Sequence, residues 1–223
     1  MNKFSLLTAA LLGAGTGAAQ AATLDFGSGP ALPVMCSSDT LGTGALVACT
    51  NNGYINQAYG DVAGALDVSY GQVLQPAGTS LRWWSSGYNN LWGVPWADGT
   101  DTQSHARIDL RALNGHAVTL SQFDFGAYPS VPRNATIDVY DLGTHQSLFH
   151  YQGNIGNGAS HTTFGNLNLS STAGLRIEWR DTAYNVGIDN IVFDVSAVPE
   201  PSTHALLLAG LGIVGLISRR RRR

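Results

Sequence analysis

A tryptophan-rich segment is the first place where residue types and spacing suggest ligand chemistry. Four of the five tryptophans are Trp83, Trp84, Trp92 and Trp96, and glycine, asparagine and serine residues lie between them. Aromatic rings provide flat apolar surfaces for sugar rings, and side-chain amides hydrogen-bond hydroxyl groups. We predict that Trp92 and Trp96 are exposed and stack on a glycan. The alternative is that these rings pack inside the fold and close one end of it.

Signatures of catalysis are absent from the sequence. It contains no H-E-x-x-H, G-x-S-x-G, phosphate-loop or dinucleotide-binding pattern. Glycoside hydrolysis needs two carboxyl groups flanking the scissile bond, and Glu178 is the only glutamate of the central region. Glu178 can pair with Asp181 or Asp189 for that purpose, or with Arg176 or Arg180 as a surface ion pair. We predict that the protein is not an enzyme.

The N-terminus has the layout of a secretory signal peptide. Lys3 precedes a short apolar core at residues 6–12, and Ala-Gln-Ala at 19–21 is an A-x-A cleavage pattern. The apolar core is too short to span a bilayer permanently. Residues 1–21 are therefore predicted to form a signal-peptide helix, which signal peptidase removes after the secretion machinery has engaged it. The alternative is a buried N-terminal helix.

The predicted export would allow Cys36 and Cys49 to form a disulfide, because disulfides persist outside the cytosol. Two cysteines without a C-x-x-C pair are too few for a structural zinc site. A bridge between them would close a short loop and stabilise the fold by roughly 3 kcal/mol on the chain-entropy model. We predict a disulfide; the alternative is two buried free thiols.

The last 26 residues combine three features. Glu200 lies between Pro199 and Pro201, and the prolines hold this tripeptide extended and exposed. An apolar stretch at residues 205–218 follows, about 21 Å long as a helix. That is shorter than a bilayer core of about 30 Å, and snorkelling and local thinning extend its reach.

A cationic cluster ends the chain. It consists of Arg219, Arg220, Arg221, Arg222 and Arg223. Consecutive arginines resist translocation, so they are predicted to stop the helix in the membrane with the central domain outside. The alternatives are a core helix with a solvated basic end and a lipid-anchor signal, although such signals end in their hydrophobic tail.

The order of proline-flanked glutamate, short apolar helix and arginine cluster resembles the PEP-CTERM sorting tail of Gram-negative bacteria. The resemblance covers residues 198–223. It implies that an exosortase recognises the tripeptide and removes the tail. It also implies a transient anchor in the inner membrane, then a location at the cell surface or outside the cell. Such proteins belong to bacteria that make exopolysaccharide, which suggests a biofilm matrix.

The composition favours a β-rich extracellular domain. Charged residues make up only 12% of the chain, against 44% hydrophobic residues and 27 glycines. This profile disfavours disorder, coiled coils and helical bundles. Between residues 22 and 198 six arginines and no lysine oppose 14 acidic residues, a formal charge of about −8. Because acidic surfaces repel phosphate backbones, a nucleic-acid partner is not expected.

The central region reads as a series of short strands. Polar and apolar residues alternate in segments separated by glycine, asparagine and serine clusters. We predict about ten strands, at 23–26, 65–70, 81–84, 106–110, 118–127, 135–141, 147–152, 161–169, 174–179 and 191–195. Many short strands indicate an all-β antiparallel β-sandwich, a jelly roll, over residues 22–197.

The predicted last strand, within residues 187–194, resembles the closing strand of jelly-roll carbohydrate-binding modules. The resemblance implies that Asp189 and Asp25 together hold a structural calcium ion. Calcium takes six to eight oxygen ligands. Asp98 and Asp101 form a second oxygen-rich loop. The alternative at both places is turn chemistry, in which aspartates accept hydrogen bonds from nearby backbone amides.

Three functions remain open from the sequence. The first is a non-catalytic surface or matrix protein that binds extracellular polysaccharide through the tryptophan-rich segment. The second is a structural or adhesive domain with a protein partner, in which the tryptophans are buried. The third is a glycan hydrolase or lyase.

Overall fold

The computed structural model describes residues 20–27 and 34–198, together with helical residues 209–211 and 213. The first 19 residues, the Pro199–Pro201 tripeptide and the terminal arginines lie outside the described residues. So does most of the helix predicted at 205–218. Within the part of the chain that the structure describes, no helix is long and apolar enough to cross a membrane.

Two five-stranded antiparallel sheets form a β-sandwich. The first contains β1 (Gln20–Leu24), β9 (His116–Ala127), β12 (Thr162–Phe164), β13 (Leu169–Ser171) and β15 (Val186–Ala197). The second contains β5 (Leu66–Gln72), β8 (Ser104–Ala112), β10 (Arg133–Asp141), β11 (Ser147–Ile155) and β14 (Leu175–Asp181). The strand orders are β1-β15-β9-β12, with β13 also on β9, and β11-β10-β14-β8-β5.

The strand order is that of a jelly roll. In chain order, the eight positions are β1, β8, β9, β10, β11, the β12–β13 pair, β14 and β15. The first, eighth, third and sixth positions neighbour each other in one sheet, and the second, seventh, fourth and fifth in the other. The predicted all-β antiparallel jelly roll is thus confirmed, with β5 added at one sheet edge.

A third, smaller antiparallel sheet is inserted between the first two jelly-roll positions. It contains β2 (Met35–Ser37), β3 (Leu46–Ala48), β4 (Tyr54–Ile55), β6 (Arg82–Trp84) and β7 (Val94–Trp96), in the order β3-β2-β4-β6-β7. β7 lies against β15, where a side chain on Gly187 would collide with Val94 and the carbonyl of Pro95. Glycine at 187 therefore lets the inserted sheet contact the sandwich.

The core lies between the two large sheets. Most inward residues of β8, β9, β10, β14 and β15 are buried, as the period-two alternation requires, whereas β11 and β12 contribute half-buried rings. Aromatic rings cross the interface: Phe125 of β9 contacts Trp179 of β14 at a centroid distance of 5.5 Å, and Phe123 contacts Phe149 of β11 at 6.0 Å. These contacts join β9 of one sheet to β14 and β11 of the other.

One strand prediction is wrong. The segment predicted as a single strand at 161–169 is divided into β12 and β13. Asn166 and Asn168 between them have φ angles of 57° and 49°. Asparagine tolerates this left-handed region better than other non-glycine residues, so the chain turns where the alternation suggested extension.

The predicted disulfide is confirmed. Cys36 in β2 is bonded to Cys49, which follows β3, with a Cα–Cα distance of 5.0 Å. The bridge closes the β2–β3 hairpin at the edge of the small sheet. It therefore stabilises an insertion that has few core residues of its own.

β1 begins inside the segment predicted as a signal peptide. Gln20 and Ala21 pair with Val195 and Asp194 of β15. Cleavage after Ala21 would leave residues 22–24 paired with the same strand, and Leu24 is buried in the core. A domain cleaved there would therefore keep the buried Leu24 of its first strand.

Candidate functional site

The segment at residues 88–96, a loop followed by β7, lines two cavities at one end of the sandwich, where β9 ends and β15 begins. The aromatic cleft has a volume of about 140 Å³ and is lined by Asn52, Trp84, Tyr88, Trp96, Tyr128, Tyr184 and Asn185. The acidic cleft has a volume of about 420 Å³ and is lined by Asp25, Gly27, Asn90, Leu91, Trp92, His161, Asp189 and Asn190. The tryptophan-rich segment therefore belongs to two separate sites.

The rings of the aromatic cleft come from separate parts of the chain. Trp84 ends β6, Tyr128 follows β9, and Tyr184 precedes β15. Trp84 contacts Tyr128 edge to face at 6.1 Å, and Trp96 contacts Tyr184 in the same way at 5.2 Å. Edge-to-face contacts are favourable for aromatic quadrupoles, so the rings hold each other in place.

Polar groups in the aromatic cleft are arranged as hydrogen-bond donors. The Tyr88 hydroxyl donates to the carbonyl of Tyr184 at 3.1 Å, and burial raises its pKa, which keeps it neutral. The buried Nε1 of Trp96 has no acceptor in the described structure. An unsatisfied buried donor costs about 1–3 kcal/mol, and a ligand hydroxyl that accepted from it would remove this cost.

The expectation that Trp96 is exposed is wrong. All three residues of β7 are buried, because the strand pairs with β6 on one side and lies against β15. Only 6% of Trp96 is exposed, whereas Trp92, in the loop before the strand, is 70% exposed. Exposure of Trp92 therefore agrees with the prediction, and its contact with a glycan stays a prediction.

The acidic cleft brings together residues that the sequence singled out separately. Asp25 follows β1, Asp189 lies in β15, and Trp92 comes from the loop at 88–96. Gly93 makes this approach possible, since a side chain there would collide with the carbonyl of Phe26. The end of the first strand, the closing strand and the exposed tryptophan thus share one cavity.

Asp189 is a buried carboxylate with an altered affinity for protons. Its Oδ1 accepts hydrogen bonds from the backbone amides of Phe26 and Asn190, both at 2.8 Å. Burial raises the pKa of Asp189 to about 7, and the negative charges of Asp25 and Asp124 act in the same direction. The side chain therefore holds a proton more readily than an exposed aspartate.

Asp124 is a functional candidate that sequence reasoning missed. It lies opposite Asp189 in the β9–β15 register, so both carboxylates lie on the same face of the sheet. Its Oδ2 accepts from Asn190 Nδ2 at 2.8 Å and lies 3.5 Å from His161 Nε2. Its buried Oδ1 has no partner among the described residues. The only signal in the sequence was a charged residue between two core phenylalanines.

Asp25 and Asp189 do not by themselves fit a calcium ion. Asp25 Oδ1 already accepts from the amide of Gly27 at 2.6 Å, and Asp189 Oδ1 is occupied as described. Together the two carboxylates supply at most four oxygens, fewer than the six to eight that calcium takes. Over residues 20–27 and 34–198, no three His, Cys, Asp or Glu side chains are arranged to hold a metal. Calcium stays an untested prediction.

The second oxygen-rich loop serves ion pairs. Asp98 contacts the guanidinium of Arg82 at 2.7 Å, and Asp101 contacts that of Arg133 at 3.2 Å. The two carboxylates therefore have different partners, which agrees with a structural role for this turn.

Glu178 forms its close contact with a histidine and not with a carboxylate considered for hydrolysis. It lies on β14 and is 2.7 Å from His105 Nε2 on the neighbouring strand. Asp181 accepts from the hydroxyl of Thr136, and Asp189 belongs to the other sheet. Glu178 and Asp181 thus each have a structural partner among the described residues.

A family model identifies the C-terminal segment. Residues 197–223 match the PEP-CTERM protein-sorting motif. The chain therefore carries the sorting motif of exported proteins that an exosortase processes, as its proline, helix and arginine pattern suggested. The match covers the tail and says nothing about the sandwich. No curated protein matches the chain.

Several solved structures resemble the chain distantly. A CBM4 protein is 16% identical over 66% of this chain and 85% of its own, with a TM-score of 0.26. A family 11 carbohydrate-binding module from Clostridium thermocellum, solved with a beta-1,3-1,4-mixed-linked tetrasaccharide, is 11% identical over 69% and 100%, with a TM-score of 0.24. A ruminal GH26 endo-beta-1,4-mannanase is 14% identical over 53% and 23%, with a TM-score of 0.29. These low scores do not transfer a ligand to this chain.

Proposed function

We propose that this exported protein is a non-catalytic, polysaccharide-binding domain of the cell surface or extracellular matrix, and that it binds a neutral glycan in the aromatic cleft. One observation carries the proposal: five aromatic side chains surround a cavity, and the buried indole N–H of one of them, Trp96, lacks an acceptor among the described residues. Concave sites lined by aromatic rings with a few placed polar groups are typical of small-molecule ligands.

The arrangement of the cleft suits a sugar ring. Tyr184 is 41% exposed, and Trp84, which lines the same cavity, is half-buried. A sugar face can stack on these rings, and Asn52 and Asn185 supply amides for its hydroxyl groups. A neutral ligand is favoured because the domain has an acidic net charge and the cleft lining contains no charged residue.

The sorting motif supports the location of this function. An exosortase is the proposed processing partner, with a transient inner-membrane anchor before release or attachment at the surface of a Gram-negative cell. Signal peptidase and the secretion machinery are the partners proposed for the N-terminus. In this scheme the domain acts after export, where extracellular polysaccharide is available.

A glycan-binding screen on residues 22–198 tests the proposal. We expect saturable binding of a neutral polysaccharide that weakens at least tenfold in Trp84→Ala and in Tyr184→Ala. Trp92→Ala is the matched control because that ring lies in the other cleft, and it should leave neutral-glycan binding unchanged. Tyr184 is partly exposed, so its variant should fold even if Trp84→Ala does not. Absence of binding, or binding untouched by Tyr184→Ala, would overturn the proposal.

A further inference from the structure

The acidic cleft contains more negative charge than the fold neutralises. The charges of Asp25 and Asp124 help raise the pKa of Asp189, and among the described residues the basic side chain beside them is His161, 3.5 Å from Asp124. The arginine ion pairs of the described structure lie elsewhere, none of them with these three aspartates. A positively charged ligand would relieve this imbalance.

The unpartnered oxygen of Asp124 also favours a positively charged ligand. Asp124 is only 4% exposed, and a buried carboxylate oxygen without a partner is unfavourable. Its register partner Asp189 lines the cleft, and so do the two residues that contact its other oxygen, Asn190 and His161. The carboxylate therefore adds to the negative potential of this cavity.

The carboxylate oxygens and the exposed tryptophan of the acidic cleft favour an organic cation over a metal ion. The carboxylates of Asp25 and Asp189 supply fewer oxygens than the six to eight that calcium takes, whereas an ammonium group needs acceptors for only three N–H donors. Trp92, 70% exposed at the same cavity, gives a metal ion nothing but can stack on a ring and attract a nearby ammonium group. A ligand with an ammonium group on a ring would contact both the carboxylates and Trp92.

We propose that the acidic cleft binds an amino-sugar residue of a polysaccharide, with the sugar ring on Trp92 and its ammonium group between Asp25 and Asp189. This inference rests on the proposed glycan-binding function and names a second ligand class at a different cavity. Asn90 is fixed by accepting from the backbone and ring of His161, so that wall of the cleft is already in place. The cleft volume is in the range of small-molecule sites.

Titration calorimetry with two oligosaccharides of equal length tests this proposal. The probes are a hexamer of glucosamine and a hexamer of N-acetylglucosamine, which lacks the ammonium charge, in chelator-containing buffer below the pKa of the sugar amine. We expect the glucosamine hexamer to bind at least tenfold more tightly. Asp25→Asn, Asp189→Asn and Trp92→Ala should each reduce its affinity about tenfold or more, and salt should weaken binding.

The matched control is Tyr184→Ala, which changes the aromatic cleft and should not affect the glucosamine hexamer. Equal affinity for the two hexamers, or binding unchanged in both Asp25→Asn and Trp92→Ala, would overturn the amino-sugar proposal. A calcium-dependent rise in melting temperature that disappears in Asp25→Asn would also overturn it in favour of a metal. Loss of neutral-glycan binding in Tyr184→Ala is a separate result, so the two proposals can fail independently.

Discussion

Asp189 links the chemistry of the acidic cleft to the stability of the fold. Its pKa is raised to about 7 from 3.8, so between about pH 4 and pH 7 the folded state binds a proton that the unfolded state has lost. The free energy of unfolding therefore falls as pH rises through this window, by roughly 1.4 kcal/mol for each unit of pKa difference at most. The titratable groups around it are Asp25, Asp124 and Tyr59, with His161 3.5 Å from Asp124.

Thermal unfolding with a chelator present measures this effect. We expect the melting temperature to decrease between pH 5 and pH 8, and the decrease to be smaller in Asp189→Asn. The amide oxygen of asparagine can still accept from Phe26 and Asn190, so the variant should fold. A melting temperature that rises with pH in the native chain, or an equal slope in both proteins, would contradict the assignment.

Gly93 controls how the two clefts are positioned. Alanine at this position would collide with the carbonyl of Phe26, so the loop at 88–96 must shift. We expect Gly93→Ala to lower the free energy of unfolding by about 1–3 kcal/mol and to weaken binding at both clefts. Gly165→Ala is the control, since its added carbon would meet Gln122 only at 3.6 Å. Equal melting temperatures for the two variants would refute this role.

The site residues show how far sequence reasoning reaches. Trp92 could be predicted as exposed because it lies among glycine and asparagine residues. Trp96 could not be predicted as buried, since its environment is made by β15, which is about 90 residues away in the chain. Asp124 was missed for the same reason: its neighbour Asp189 is visible only once β9 and β15 pair.

At the scale of elements, the inserted sheet depends on its disulfide. Its strands have two or three residues each, and β3 is exposed along its length. Short strands with little buried surface gain most from a covalent link. This sheet also carries Trp84 and Trp96, so its stability affects the aromatic cleft.

Removing the bridge should therefore have a local effect. We expect Cys36→Ser with Cys49→Ser to lower the free energy of unfolding by about 3 kcal/mol. Hydrogen exchange should increase in the inserted sheet more than in β9 and β15. A reducing agent should reproduce the result in the native chain and leave the double variant unchanged. Uniform exchange across the whole domain would show that the insertion is not a separate unit of stability.

The elements also differ in how well the sequence predicts them. β10, β14 and the later part of β15 were predicted, because one face of each is buried and alternation follows from that. β2, β3, β4 and β7 were not, because strands of two or three residues are too short to show a period. The division of β12 from β13 depends on left-handed asparagines, which local alternation does not reveal.

At the scale of the whole molecule, the domain is complete before the sorting tripeptide. β15 ends at Ala197, and the amide of Val198 donates to the carbonyl of Gly115 at 2.7 Å. Because the resemblance implies that an exosortase recognises the tripeptide, replacing Glu200 should block removal of the tail. Since Glu200 lies beyond β15, the fold should not be affected. Mass spectrometry of the protein from its host should show the C-terminal segment retained in Glu200→Ala, with an unchanged melting temperature for the exported domain. Normal processing of that variant would contradict recognition of the tripeptide.

β15 also relates the two ends of the domain in space. Asn185 of the aromatic cleft precedes its first residue, Asp189 and Asn190 of the acidic cleft lie further along it, and its last residue adjoins the tail. Since a strand rises about 3.3 Å per residue, the aromatic cleft stands roughly 36 Å, and the acidic cleft roughly 25 Å, from the exit point. If a surface holds the tail, both clefts would lie away from that surface. They would then be placed to bind polymer chains that extend outward from it.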